Sequence, residues 1–78
     1  MTTSMIRMRD DILANQITYY NGLIAKHKQN VEIYLANPVG IGEHPQHIDE
    51  IDKQLDKIAQ AEEKLDALDS FKKPEEQE

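Results

Sequence analysis

Two histidines and a glutamate near the middle of the chain have the side chains best suited to binding a metal. Glu43, His44 and His47 fall within one short segment, and imidazole and carboxylate groups are common ligands of divalent cations. Helical bundles that bind metals use Glu-x-x-His pairs on facing helices, and this spacing occurs nowhere in the chain. Cysteine is also absent, which excludes disulfides and thiolate sites. We therefore predict no metal and no other cofactor.

Two further arrangements resemble catalytic or phosphate-binding chemistry. Residues 40–42 read Gly-Ile-Gly, but phosphate-binding loops follow a strand and end in Gly-Lys-Ser or Gly-Lys-Thr, whereas this segment follows a helical pattern. Tyr20 is expected to face Ala61 or Glu62, and a hydrogen bond to Glu62 would fix the alignment of two helices. Glu62 has no companion nucleophile or base. The sequence therefore predicts no catalytic residues and a protein that is not an enzyme.

A long helix is the element that must position the side chains of the first half. No proline interrupts residues 4–36, and Ser4 or Thr3 is a suitable N-cap. Apolar residues recur at alternating steps of four and three, which is typical of helices that pack on other helices. These residues are Leu13, Ile17, Tyr20, Ile24, His27, Val31 and Tyr34. His27 in this row predicts a histidine hydrogen-bonded across the helices, or alternatively one whose protonation acts as a switch.

A second helix is predicted over residues 45–70, after a loop at 37–44. Its apolar residues are Ile48, Ile51, Leu55, Ile58, Ala61, Leu65 and Leu68. A short connection makes two helices antiparallel neighbours, so Tyr34 should meet Ile48 and His27 should meet Leu55. Residues 71–78 are acidic and broken by Pro74, which is typical of a disordered tail.

The chain is too short to stabilise two helices without help. A domain of 78 residues rarely gains more than about 3–5 kcal/mol from one core. The first helix carries further apolar residues outside its row, which a second copy would bury. We therefore predict an all-α fold: an antiparallel helical hairpin that dimerises into a four-helix bundle or coiled coil. The predicted oligomer interface consists of Met8, Ile12, Tyr19, Leu23 and Ile33.

Charge is distributed unevenly along the chain. The net charge is -6, and most acidic residues lie in the second half, so direct binding to nucleic acid is disfavoured. We predict an interaction protein that binds or regulates another protein through its loop and the acidic face of its second helix. The residues predicted to bind protein are Val39, Ile41, Glu43, His44, Asp49, Asp52, Asp56 and Glu63. Two alternatives remain: an acidic mimic of nucleic acid that inhibits a DNA-binding protein, and a structural or assembly component of a virion.

The sequence also gives an expectation for localisation. The first residues lack the apolar run of a signal peptide, and no segment approaches the roughly 20 apolar residues of a membrane span. Together with the absence of cysteine, this favours a cytoplasmic protein without a membrane partner.

The loop carries the single family resemblance. The segment Asn37-Pro38-Val39-Gly40-Ile41-Gly42-Glu43-His44-Pro45, followed by an amphipathic helix rich in Lys and Asp, resembles a segment of small uncharacterised proteins from marine tailed phages that infect cyanobacteria. The resemblance covers residues 28–68. It implies a virus-encoded accessory protein acting in the host cytoplasm, and it assigns no activity to any residue.

Overall fold

Two helices make up the described part of the chain in a computed structural model. The structure describes residues 2–36 and 46–72, with side chains from residue 7 to 36 and from 47 to 72. Helix α1 spans Thr2–Ala36 and helix α2 spans Gln46–Asp69. They pack lengthwise as a hairpin whose extents are 62 × 18 × 17 Å. The predicted helical hairpin is thus confirmed, while the predicted loop and acidic tail beyond residue 72 lie outside the described residues.

Helix α1 packs on α2 through the predicted heptad row. All seven residues from Leu13 to Tyr34 in that row are half-buried. Helix α1 begins at Thr2, so Ser4 lies inside the first turn and does not precede it. Gly22 is the only glycine in the helix, and the absence of proline lets the hydrogen-bond ladder run for 35 residues.

Helix α2 faces α1 with five of the seven predicted residues, and the other two predicted residues lie outside the inward row. Ile48 and Leu55 are 72% and 50% exposed, so their predicted places opposite Tyr34 and His27 were wrong. The inward row runs at strict steps of four and three. It consists of His47, Ile51, Gln54, Ile58, Ala61, Leu65 and Leu68, all buried or half-buried. The inward face of α2 therefore keeps regular heptad spacing. This face includes two polar residues and leaves two aliphatic residues outside the row.

Polar and aromatic contacts explain why His47 and Gln54 face α1. Gln54 Oε1 accepts hydrogen bonds from His27 Nδ1 at 2.6 Å and from Asn30 Nδ2 at 3.0 Å. The ring of His47 packs edge-on against Tyr34, with centroids 5.3 Å apart. Each contact joins α1 to α2, so these two polar residues hold the half of the hairpin nearest the connection in alignment.

At the opposite end of the hairpin, where α1 begins and α2 ends, hydrogen bonds hold the residues that follow α2. Ser70 N and Phe71 N donate to Ala67 O and Leu68 O at 3.2 and 2.9 Å, which continues the chain in a tight turn past α2. The guanidinium of Arg9 then donates to the carbonyl oxygen of Phe71. This bond ties the first turns of α1 to the end of α2.

The core between the helices is small. Among the described residues, only Ile58 and Ala61 are buried, at 8% and 3% exposure. The described residues contain no helix with the length and apolar character needed to cross a membrane. Most apolar side chains therefore lie at the edges of the hairpin or on its surface.

Candidate protein-docking face

A row of exposed apolar residues runs along α1 beside the packed row. Met8, Ile12, Tyr19 and Ile33 are between 55% and 64% exposed, and Leu23 is half-buried. Ile12, Tyr19 and Ile33 are separated by multiples of seven, with Met8 and Leu23 each one turn from a member, so the five share one side of the helix. We call these five residues the α1 stripe. They are the residues for which the sequence predicts an oligomer interface.

The α1 stripe borders an apolar depression at the open end of the hairpin. Its volume is about 320 Å³, and it is lined by Met8, Arg9, Ile12, Leu13 and Phe71. Phe71 is 57% exposed although its carbonyl oxygen is fixed by Arg9. The backbone anchor thus presents an aromatic ring beside two stripe residues. We call this depression the end cleft.

A second depression, of about 340 Å³, lies two turns further along the same edge. Lys26 lines it from α1, and Lys57 and Lys64 line it from α2. Its aromatic members are Tyr19, Tyr20 and His27. Among the described residues that line it, none carries a carboxylate. We call this depression the lysine groove.

Aromatic contacts give the lysine groove its shape. The rings of Tyr19 and Tyr20 meet edge to face with centroids 5.2 Å apart. The ammonium of Lys64 lies 5.6 Å from the centroid of the Tyr20 ring, within the range of a cation–π contact. Glu62, the predicted partner of Tyr20, is exposed, and no hydrogen bond joins the two in the part of the chain that the structure describes. Tyr20 and Ala61, the other predicted neighbour, both line the groove, and the polar group over the Tyr20 ring is the ammonium of Lys64.

Sequence reasoning missed the lysine groove, although the sequence contains a signal for it. Lys26, Lys57 and Lys64 have no acidic residue three or four positions away, whereas Lys28 has Glu32 and Lys53 has Glu50. Pairs at these distances share a helix face and neutralise each other. Lysines without such a neighbour are the ones that keep their charge available for contacts between helices or with another molecule.

The acidic residues predicted to bind protein lie on the outside of α2. Asp49, Asp52, Asp56 and Glu63 are all exposed. The other four predicted contact residues, in the loop, lie outside the described residues. The structure therefore places an acidic surface on α2, and its role as a binding site stays a prediction.

The histidines do not form a metal site in the described part. No group of three or more His, Cys, Asp or Glu residues is close enough there to hold a metal ion. His47 Nε2 is buried and has no hydrogen-bond partner among the described residues, and its ring packs against Tyr34. His44, which the sequence places beside it, lies outside the described residues.

Comparisons with known proteins give no further identification. No protein-family model matches the chain, and searches of curated proteins and of solved structures return no match.

Proposed function

We propose that the protein is a non-catalytic interaction module that acts as a homodimer, with two hairpins forming a four-helix bundle. The observation that supports this is the α1 stripe. Burying a large aliphatic or aromatic side chain contributes about 1.5–3 kcal/mol, and four of the five stripe residues are more than half exposed in the hairpin alone. A second hairpin packed on the stripe supplies this burial and compensates for the small core, in which two of the described residues are buried.

The experiment is to place charges in the stripe and measure the molar mass. The double variant Ile12→Glu/Tyr19→Glu puts two carboxylates at the centre of the proposed interface, where burial of an unpaired charge costs several kcal/mol. Light scattering at a concentration where the unchanged chain is dimeric should give the mass of a single chain, 9.0 kDa. Helicity by circular dichroism should stay the same because both side chains are mostly exposed.

The matched control replaces exposed apolar residues elsewhere on the hairpin. Ile48→Glu/Leu55→Glu changes two aliphatic side chains on α2 that are 72% and 50% exposed, and the control variant should remain a dimer. If both variants keep the dimeric mass, or if only the control dissociates, the proposed interface is wrong.

The proposal includes that this chain is a phage-encoded accessory protein that acts in the host cytoplasm. Its support is the resemblance of residues 37–45 to the loop of small phage proteins. Within the proposal, the dimer presents its two loops and its two acidic α2 surfaces for contacts with a host or phage protein, since loops on a rigid scaffold commonly carry binding residues.

A second candidate function is mimicry of nucleic acid, and one observation favours it. The carboxylates of Asp49, Asp56 and Glu63 are exposed and recur every seven residues, which gives a row of negative charge along α2. Binding through such a row weakens steeply with salt, because exposed charges are screened over about 10 Å at 0.1 M. Association through the apolar α1 stripe should not weaken in this way, so salt that releases the partner but leaves the dimer intact would indicate that the partner binds through charge.

A further inference from the structure

The lysines of the groove have no acidic residue three or four positions away in the sequence, whereas every other lysine of the chain has at least one. Three of the seven lysines line this one groove, in a chain where acidic residues outnumber basic ones by 15 to 9. Among the described residues, ion pairs join Lys53 to Glu50 and Lys72 to Asp69, at 3.2 and 3.3 Å. The groove therefore concentrates positive charge on a protein that is negative as a whole.

The groove offers apolar contact as well as charge. Tyr19, Tyr20 and Leu23 lie beside the three ammonium groups. The end cleft extends the same edge of the hairpin, since Ile12 precedes Tyr19 and Phe71 follows Lys64 by seven residues each. The two depressions form one docking surface, which is apolar at the open end and positively charged toward the middle.

The spacing of the lysines fits an α-helix as the occupant. Lys57 and Lys64 are seven residues apart on α2, roughly 10 Å along the axis. Carboxylates seven residues apart on a second helix have the same separation, and apolar residues between them would pack on the tyrosines. We propose that the lysine groove and the end cleft dock an acidic amphipathic helix of a partner protein. This inference rests on the proposed interaction function and specifies the chemistry of the partner.

Charge favours this occupant over a second copy and over nucleic acid. Two copies that met groove to groove would bring their lysines together, and like charges in contact are unfavourable. A nucleic acid strand is longer than the groove and would run onto the carboxylates of Asp56 and Glu63, each adjacent in sequence to a groove lysine. A helix with a few carboxylates matches the limited extent of the positive charge.

The acidic helix and the second copy compete for part of the same surface. Tyr19 and Leu23 belong both to the α1 stripe and to the lysine groove. Binding of the acidic helix should therefore lower the fraction of dimer. In this way the partner would exchange with the second copy on one face of the hairpin.

The test measures binding of a synthetic peptide to the full chain by fluorescence anisotropy. The probe is a labelled helical peptide with leucines in heptad spacing and glutamates seven residues apart. The variant Lys57→Gln/Lys64→Gln should weaken binding about tenfold or more, because it removes two charge pairs. The control Lys28→Gln/Lys53→Gln removes the same charge from lysines outside the groove and should change the affinity less than about twofold.

Two further probes decide the nature of the occupant. The same peptide with glutamine in place of glutamate should bind about tenfold or more weakly, and a single-stranded oligothymidylate should not displace the acidic peptide. The inference is overturned if the acidic peptide does not bind, if both lysine variants weaken it equally, or if the oligonucleotide displaces it. If the chain is a dimer but does not bind the peptide, the groove proposal is wrong and the homodimer is unaffected. If the chain is a monomer that binds the peptide through Lys57 and Lys64, the homodimer is wrong and the groove proposal is unaffected.

Discussion

At the scale of residues, the hairpin is aligned by a small polar cluster. A glutamine carbonyl oxygen has two lone pairs, and Gln54 Oε1 uses them for Asn30 Nδ2 and His27 Nδ1. Because an amide oxygen can only accept, His27 Nδ1 carries the proton of this hydrogen bond. A shift of one helix by a single residue would break both hydrogen bonds, so the cluster favours one alignment.

Exchanging polar and apolar residues at two neighbouring positions tests this cluster. Gln54→Leu leaves the half-buried His27 and Asn30 without their shared acceptor, and an unsatisfied buried polar group costs about 1–3 kcal/mol. We expect the free energy of unfolding in urea to fall by about that amount. Leu55→Gln, the reverse change at a half-exposed position, should alter it by less than about 0.5 kcal/mol. A larger loss of stability in the Leu55 variant than in the Gln54 variant would mean that Leu55 faces α1, as the apolar pattern predicts.

The same cluster shows what could be predicted about individual residues. His27 is hydrogen-bonded across the helices, as its place in the heptad row predicts. Its partner was missed because apolar character selected Leu55, whereas helix geometry selects the neighbouring Gln54. A sequence pattern identifies a face only to within one residue on either side, and the polar pairing that resolves this depends on both helices at once.

At the scale of elements, the two helices differ in how fully their pattern specifies them. The apolar row of α1 has no irregular step, so its packed face follows directly from sequence. The apolar row predicted for α2 contains two consecutive steps of three, at Leu55, Ile58 and Ala61, and such a break leaves the rotation of the helix undetermined. The α1 stripe was therefore predicted, whereas the lysine groove, which depends on the rotation of α2, was not.

Gly22 gives a test of how much the low helix propensity of one residue in α1 limits the stability of the hairpin. A Cβ atom at this position meets no atom within 4 Å, and glycine in a helix interior is about 1 kcal/mol less favourable than alanine. Gly22→Ala should therefore raise the free energy of unfolding by about 1 kcal/mol, measured by urea denaturation. A destabilised variant would mean that this position, one turn from Tyr19, is covered in the assembled protein.

At the scale of the whole molecule, the apolar surface and the negative charge lie on different sides of the hairpin. One edge carries the α1 stripe, the end cleft and the lysine groove, while the carboxylates of Asp49, Asp56 and Glu63 lie on the outside of α2. With two buried residues in the described part, the isolated hairpin has little to stabilise it, since small domains without disulfides or metals commonly depend on oligomerisation. Association with a second copy should therefore add to the stability of the hairpin.

Light scattering over a dilution series measures whether the hairpin associates with a second copy. We expect a molar mass of about 18 kDa, twice the 9.0 kDa of one chain, at the higher concentrations of the series. A mass of 9.0 kDa throughout the series, with helicity unchanged, would contradict the homodimer. The α1 stripe would then be open in solution as a surface for another protein.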